Sequence, residues 1–310
     1  MAAQPIVKRV GPPLALAFAV SACVAPSETS SSQTGSAAVS QSAPAAAPAL
    51  APPPDAAGPS AFLFAGELTQ GGWIRGQVPA GTVSAALGER PLTVSSDGQF
   101  FAAFDRDAGP AAKLVATLRD GRTIQTSLAI APRAWQIEHI NASPTADVPS
   151  AEFTARRQPE LRRIAAAREL VTASQGWREK FIWPAKGRIS GLFGSQRIYR
   201  GEPGSYHSGI DIAGGSGTEY VAPADGVVVL AADAPFTLEG NLLIIDHGMG
   251  LSSAFLHSSA LLVHEGETVR QGQVIGRIGM TGRATGPHLH WSLVWRGARL
   301  DPLLFTGPMG

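Results

Sequence analysis

The stretch Thr281-Gly-Arg-Ala-Thr-Gly-Pro-His-Leu-His-Trp291 places two histidines one residue apart in the last part of a 310-residue chain. A Gly/Pro-rich turn precedes the pair, and the apolar run that continues to Trp295 is typical of a β-strand. Because residues i and i+2 of a strand point to the same face, His288 and His290 would present both imidazoles to one point. This arrangement favours a metal ligand with a neighbouring base over a packed core.

Few other residues can complete such a site, since the chain contains 7 histidines. His207 and Asp211 lie on either side of Gly209, where the backbone can bend. A histidine, a carboxylate and one imidazole of the later pair make a three-ligand set with an open fourth position, as expected of a catalytic zinc site. The H-x3-D spacing is a weak signal alone and gains strength from the H-x-H pair in the same region. We interpret His247, at a strand end, and His264, in a turn, as structural residues.

The composition leaves enough apolar material for two domains, with 44% hydrophobic and 16% charged residues. A formal net charge of +1 gives no support for nucleic-acid binding. The single cysteine, Cys23, excludes an internal disulfide and a cysteine-rich zinc finger.

The first residues predict an export signal rather than part of the fold. A basic region precedes an apolar run over residues 14–20, which is too short to span a bilayer as a mature helix. The segment Val20-Ser-Ala-Cys23 resembles the lipobox of bacterial lipoproteins, which predicts a signal peptide over residues 1–22 and a lipid anchor to the membrane on Cys23. A non-lipidated signal peptide is the alternative. Val24 favours the outer membrane, so we expect a lipid-anchored protein in the periplasm of a Gram-negative cell.

The next segments differ in composition and predict different structures. Residues 24–60 are rich in Ser, Ala and Pro and predict a disordered tether. In residues 61–133 short apolar runs alternate with turn signals, which predicts a small antiparallel β-sandwich. Residues 134–180 read as a connector with a helix over residues 159–173. We interpret the arginines of this helix as a solvated face, with contact to an acidic polymer as the alternative.

Residues 181–305 are dense in Gly and β-branched residues and predict an all-β barrel or pair of sheets. From about Phe181 to Pro302 this region resembles the lysostaphin-type or LytM-type zinc peptidoglycan endopeptidases. The resemblance implies a mainly β chain whose C-terminal catalytic domain has the lysostaphin-like (duplicated hybrid motif) fold. The motifs that carry it are His207-Ser-Gly-Ile-Asp211, Val221-Ala-Pro-Ala-Asp-Gly226, Ile245-Asp-His-Gly248, Leu256-His257, Gly266-Glu-Thr-Val-Arg-Gln-Gly272 and Thr281 to Trp291.

Carried over by position, the resemblance implies one Zn²⁺ per chain, bound by His207, Asp211 and His290, with His257 and His288 as catalytic residues beside the metal. Members of the family that activate cell-wall amidases without hydrolysis usually lack some of these residues, and here all five positions are filled. The chain departs from the family pattern after Asp211 and around His257, where Phe-Leu-His-Ser-Ser stands in place of Tyr-x-His-Leu.

The function implied is a zinc-dependent endopeptidase that hydrolyses peptide cross-links between the peptide stems of peptidoglycan. In a Gram-negative wall the bond would join D-alanine to meso-diaminopimelate. We expect His288 to take a proton from the attacking water and His257 to assist the oxyanion or the leaving amine, although spacing leaves this division open. Arg197, Tyr199 and Tyr206 are candidates for the substrate groove, with ordinary packing as the alternative. The alternative function is a non-catalytic wall-binding protein or an activator of cell-wall amidases.

Overall fold

Turn-separated apolar runs of the sequence form strands throughout the part of the chain that the structure describes, and all strand pairs there except that of Ile137–Ile140 with Gln196–Tyr199 are antiparallel. A computed structural model describes residues 58–143 and 150–309. The predicted signal peptide, Cys23 and the predicted tether up to residue 57 lie outside the described residues. The predicted fold class, mainly β, is confirmed.

The N-terminal strands form two antiparallel sheets. The strands are β1 Leu63–Gly66, β2 Trp73–Gln77, β3 Thr82–Leu87, β4 Arg90–Leu92, β5 Gln99–Ala103, β6 Ala111–Leu118 and β7 Thr123–Ala129. One sheet has the order β1-β2-β5 and the other the order β4-β3-β6-β7. Both sheets contribute fully buried side chains to one core, such as Ile74 and Phe100 from the first and Leu114 from the second. The predicted region 61–133 is thus β-structured, and its being a separate sandwich domain stays a prediction.

The connector contains a strand, β8 Ile137–Ile140, and a helix, α1 Ala151–Glu169. The helix begins earlier than the predicted Pro159 because the Ser150 hydroxyl accepts the Phe153 N–H and caps the first turn. Pro159 therefore lies inside α1, where a proline costs about 3 kcal/mol, and the buried residues of the helix, Ile164 and Ala167, follow it. The helix ends at Glu169 rather than 173, because the Thr172 N–H and hydroxyl both donate to Asp246 Oδ2.

The prediction that the arginines of α1 form a solvated face is wrong for two of them. The Arg157 side chain is only 12% exposed and is paired with Glu239. Arg168 is largely buried, and burial together with the charge of Arg299 lowers its pKa to about 10. The error arose because the helix packs against the C-terminal region, a contact that the helical periodicity alone does not reveal.

The C-terminal region is built on one large antiparallel sheet. After a short 3-10 helix at Gly176–Arg178, the elements are β9 Ile189–Gly191, β10 Gln196–Tyr199, β11 Glu202–Pro203, β12 Ile210–Ala213, β13 Glu219–Val221, β14 Gly226–Ala231, β15 Asn241–Asp246, β16 Leu251–Ser258, β17 Ala260–Leu261, β18 Thr268–Val269, β19 Val274–Arg277, β20 His288–Trp295, β21 Ala298–Leu300 and α2 Leu303–Thr306. The large sheet has the order β18-β14-β15-β16-β20-β12-β9, with β21 also paired to β20. Two three-stranded sheets, β13-β19-β17 and β11-β10-β8, complete the region.

The two faces of β20 have different surroundings. Leu289, Trp291 and the other odd-numbered residues through Trp295 are fully buried in the main core. His288 and His290 lie on the opposite face, as the alternation of a strand requires. Helix α1 covers part of that opposite face, where Ile164 packs with Leu242 and other apolar side chains of the large sheet. The site-bearing face is therefore partly covered by the chain's own connector.

The N-terminal sheets and the C-terminal region share one hydrophobic core. The rings of Phe101 and Trp295 lie edge to face with centroids 6.1 Å apart, and Trp73 Nε1 donates to the Leu304 carbonyl at 2.9 Å. The described residues accordingly belong to one compact unit. The boundary between a domain at 61–133 and one at 181–305 stays a prediction. Within the described residues, no helix is both long enough and apolar enough to cross a membrane.

Candidate metal centre

Strand pairing brings Asp211 and His290 together. The two residues are direct cross-strand partners on β12 and β20, so their side chains leave the same face of the sheet. His290 Nδ1 lies 2.8 Å from Asp211 Oδ1. This contact joins parts of the chain far apart in sequence, and it follows from the register of the two strands.

His207 reaches the same point from the loop before β12. Its Nδ1 lies 3.0 Å from the Leu192 carbonyl, which can only accept a hydrogen bond, so Nδ1 carries the proton in the neutral ring. The Nε2 lone pair is then directed at the cluster, 3.0 Å from Asp211 Oδ1 and 3.1 Å from His290 Nδ1. Hydrogen bonding to a backbone carbonyl thus selects the ring nitrogen that His207 offers.

These three residues fit a zinc ion. One ligand atom from each of His207, Asp211 and His290 lies within 4.8 Å of the others. Two imidazole nitrogens and one carboxylate oxygen are a ligand set that Zn²⁺ uses in catalytic sites. A proton on His290 Nδ1 could form a hydrogen bond to only one or two of the neighbouring ligand atoms. A cation, in contrast, would accept a lone pair from each of the three ligand atoms. Burial opposes ionisation of Asp211, but its contacts with His207 and His290 hold the pKa of this carboxyl well below its usual range.

His257 and His288 lie next to the cluster. The two rings have centroids 4.9 Å apart, and His288 Nε2 lies 3.8 Å from Asp211 Oδ1. Each Nδ1 lies 2.8 Å from a backbone carbonyl, that of Thr281 for His257 and that of Gly286 for His288. Each ring therefore keeps its Nε2 free. Burial, reinforced by the neighbouring His288, lowers the pKa of His257 and favours its neutral form.

His257 has an unusual backbone conformation for a residue with a side chain. Its φ is 65°, in the left-handed region that mainly glycine adopts. The His257 N–H donates to the Glu239 carbonyl at 2.8 Å, which helps to hold this conformation. Such local strain occurs often where a side chain must be directed into a site.

The site requires two glycines, Gly191 and Gly209, and neither was predicted as a site residue. A Cβ on Gly191 would collide with Asp211 Oδ2, because the two residues are partners on β9 and β12. A Cβ on Gly209 would lie 2.7 Å from His290 Nε2. Gly209 lies inside the H-x3-D motif, and this position could have indicated its role in the site. Gly191 has no local signal, because its constraint arises from strand pairing.

The predicted groove residues lie in different places. Arg197 and Tyr199 are on β10, where the exposed Arg197 side chain pairs with Glu138 at 2.8 Å. Tyr206, next to His207, packs edge to face on Phe193 and lies under the Arg106 guanidinium. The structure gives all three ordinary packing or surface contacts, and their role in a substrate groove stays a prediction.

The two histidines interpreted as structural lie outside the cluster. His247 is fully buried, with Nδ1 2.8 Å from the Asp225 carbonyl and Nε2 2.8 Å from Ser253 Oγ. The Ser253 hydroxyl can donate to Nε2 while accepting from Trp291 Nε1, so every polar group in this chain of contacts is satisfied. The His264 side chain is 83% exposed.

The fold and the cluster together define a class of protein. Two histidines and an aspartate converge on an antiparallel sheet beside two further histidines with free Nε2 atoms, which is the arrangement of a metallopeptidase site. Residues 205–302 match the model of Peptidase family M23. This stretch of the chain is thus similar to Peptidase family M23, and all five histidine and aspartate positions lie within it.

Curated relatives of two kinds are similar to this chain. The peptidoglycan DD-endopeptidase ShyA of Vibrio cholerae is 40% identical over 135 residues, which are 42% of this chain and 30% of ShyA. The murein hydrolase activator NlpD of Salmonella dublin is 34% identical over 165 residues, which are 53% of this chain and 40% of NlpD. The chain thus spans less than half the length of either relative.

A solved structure resembles more of the chain than the M23 stretch alone. It is the crystal structure of a Pseudomonas aeruginosa protein assigned to peptidase M23, with a TM-score of 0.60 and 25% sequence identity. The match covers 78% of this chain and 96% of that protein. It therefore extends into the strands that precede the M23 domain.

Proposed function

We propose that the protein is a zinc-dependent endopeptidase that hydrolyses peptide cross-links of peptidoglycan, at the bond between D-alanine and meso-diaminopimelate. The observation that carries this proposal is the convergence of His207, Asp211 and His290 beside His257 and His288. The similarity to ShyA, a peptidoglycan DD-endopeptidase, supports the substrate class.

The ligand set would hold Zn²⁺ through His207 Nε2, Asp211 Oδ1 and His290 Nδ1. When bound, zinc lowers the pKa of a water molecule to about 7 and polarises a carbonyl group. The protein contributes fixed ligands, because the Leu192 carbonyl orients His207 and strand pairing orients the other two.

His288 is the proposed general base. Its Nδ1–H is held by the Gly286 carbonyl, so its Nε2 lone pair can take a proton from the attacking water. His257 is held in the same way by Thr281, so in its neutral form its Nε2 can only accept; it would donate a hydrogen bond to the oxyanion or a proton to the leaving amine after Nε2 has taken up the proton removed from the water. The close approach of the two rings lets both act at one carbonyl.

The alternative is a non-catalytic wall-binding protein or an activator of cell-wall amidases. The similarity to NlpD, a murein hydrolase activator, favours this function. A protein of this kind would need a stable fold, but it would not need His257 and His288 with free Nε2 atoms beside the metal ligands.

The deciding experiment uses purified sacculi incubated with the protein, with and without a zinc chelator, followed by muropeptide analysis. We expect cross-linked dimers to be converted to monomers only in the absence of chelator. If the dimers persist in both samples, or disappear equally in both, the endopeptidase proposal is wrong. Adding a purified amidase to the same sacculi tests the alternative, which predicts release of stem peptides only when both proteins are present.

We also propose that the protein acts in the periplasm, anchored to the outer membrane by a lipid on Cys23. The support is the sequence Val20-Ser-Ala-Cys23 together with a cell-wall substrate. Cys23 lies outside the described residues. Membrane fractionation of a Cys23→Ser variant tests this proposal, since the loss of the lipid should move the protein to the soluble periplasmic fraction.

A further inference from the structure

A cavity of about 150 Å³ lies between α1 and the face of the large sheet that carries His290. Its polar lining includes Arg168 from α1, Arg299 from β21, and the hydroxyls of Ser208 and Ser292. His290 forms part of the wall, so the cavity adjoins the candidate metal centre directly.

The cationic side chains of this cavity differ in their partners. Arg157, which also lines it, is paired with both carboxylate oxygens of Glu239, at 2.6 and 2.7 Å, and with Glu160 at 3.0 Å. Within residues 58–143 and 150–309, neither Arg168 nor Arg299 forms an ion pair, and the buried Arg168 Nε has no hydrogen-bond partner. Glu239, the acidic residue of the lining, is thus already engaged by Arg157.

Two guanidinium groups that line one cavity repel each other, and the largely buried Arg168 also loses hydration. Burial and the charge of Arg299 together destabilise the charged form of Arg168. An anion between the two groups would remove both penalties. A carboxylate suits the site well, because its two oxygens match the fork of a guanidinium, and Ser208 and Ser292 offer further donors.

We propose that Arg168 and Arg299 bind a carboxylate of the peptide ligand, namely the one next to the scissile bond on the amine side. This proposal rests on the proposed function. In a D-alanyl–meso-diaminopimelate cross-link, the carbon that bears the scissile nitrogen also bears a free carboxylate. A substrate whose carbonyl lies at the metal centre therefore presents an anion a few bonds away, and the cavity that shares His290 is placed to receive it.

This site gives α1 a role in specificity. The helix is outside the stretch that matches Peptidase family M23, yet it supplies one of the two arginines. The pairing of Arg157 with Glu239, whose backbone carbonyl accepts the His257 N–H, fixes α1 against the loop that also positions His257. The same contacts thus connect the helix that carries Arg168 to the loop that positions His257.

The test measures binding of three fluorescent cross-linked muropeptides to the full chain. The first carries all its carboxylates, the second has a carboxamide at the diaminopimelate carboxylate next to the cross-link, and the third has a carboxamide at the C-terminal carboxylate of the acceptor stem. A His288→Ala background keeps the ligands intact. We expect the second ligand to bind roughly tenfold or more weakly than the first, because a charge-assisted hydrogen bond is lost, and the third to bind like the first.

Variants connect this preference to the two arginines. Arg168→Gln and Arg299→Gln, on different elements, should each weaken binding of the first ligand and leave binding of the second nearly unchanged. Arg168→Lys should retain part of the preference, since it keeps a positive charge without the fork. Arg162→Gln, on the exposed side of the same helix, is the matched control and should behave like the parent.

Equal binding of the first and second ligands by the parent protein would overturn the proposal. It would also fail if Arg299→Gln leaves the preference intact, or if both arginine variants weaken the two ligands equally. Weaker binding of the third ligand than of the first, with the second ligand binding like the first, would show that the arginines bind the other carboxylate and would contradict the proposal as well. Hydrolysis of sacculi is a separate measurement. The binding preference can therefore hold when the endopeptidase proposal fails, and hydrolysis can occur when the binding preference is absent.

Discussion

The histidines of the candidate centre are distinguished by what holds each ring. His207, His257 and His288 each direct Nδ1 at a backbone carbonyl, so that Nε2 carries no proton in the neutral ring, whereas His290 offers Nδ1 to the cluster. The two members of the H-x-H pair are therefore not equivalent. His290 lies at 2.8 Å from Asp211 Oδ1 and His288 at 3.8 Å, which separates a candidate ligand from a candidate base.

This difference predicts the effect of His288→Ala. Hydrolysis of cross-linked muropeptides should fall by roughly 100-fold or more, because the general base is lost. Zinc content, measured by atomic absorption, should remain at one ion per chain because the three ligands are intact. His264→Ala, at an exposed position, is the control and should change neither quantity. Loss of zinc from His288→Ala would show instead that this residue is a ligand.

A second residue-level prediction concerns Gly191. A Cβ there collides with the Asp211 carboxylate, so Gly191→Ala should displace that ligand and weaken zinc binding by roughly 10- to 100-fold. Competition with a chromogenic chelator measures the affinity. Gly109→Ala is the matched control, since a Cβ at Gly109 has open space around it. Equal zinc affinities for the two variants would contradict the steric argument.

At the scale of the element, α1 is held to the large sheet by one small apolar cluster and several ion pairs. Ile164 and Ala167 are its buried residues, and Leu161 on the same helix is 42% exposed. Arg157 and Arg163 add pairs with Glu239 and Asp233. The exposed pair contributes little, so the apolar cluster and the largely buried Arg157–Glu239 pair decide the position of the helix.

Ile164→Ala should therefore lower the free energy of unfolding by about 2 to 4 kcal/mol, because a buried side chain is removed from a packed cluster. Urea denaturation followed by circular dichroism measures the change. Leu161→Ala is the control and should cost well under half as much, as that side chain is already partly in water. Similar losses for both variants would mean that α1 does not pack as the structure shows.

At the scale of the whole molecule, the fully buried His247 makes stability depend on pH. Burial lowers the pKa of His247 to about 4 in the folded protein, although the Asp225 carbonyl and charge oppose this shift. An unfolded histidine has a pKa near 6.5. Between these values the unfolded chain binds a proton that the folded chain excludes, so stability should fall as pH falls from about 6.5 to about 4.

The prediction is tested by comparing unfolding free energies near pH 7 and near pH 4.5. In His247→Gln the loss of stability between the two pH values should be smaller than in the parent by roughly 2 to 3 kcal/mol. His264→Gln should keep the parent's pH dependence, since that side chain is exposed in the folded state. An unchanged pH dependence in His247→Gln would mean that the ring is protonated in the folded protein.

Much of the fold could be predicted because its signals are local. Alternating apolar runs and turn signals predicted short antiparallel strands in residues 61–133, where β1 to β7 lie. The H-x-H spacing predicted that His288 and His290 share a face of β20. The helix was less well predicted, because Pro159 resembles a helix start whereas the cap at Ser150 decides where α1 begins.

The sequence by itself determined the residue types of the candidate centre, the strand alternation that directs them to one side, and the family resemblance that assigns them roles. Only the tertiary structure decided which imidazole nitrogen faces the cluster, why Gly191 must lack a side chain, and that α1 brings Arg168 to Arg299. The physical reason is distance along the chain. Strand period and turn chemistry act between near neighbours, whereas strand register and helix docking join residues that are far apart in sequence, among them the guanidinium groups of Arg168 and Arg299.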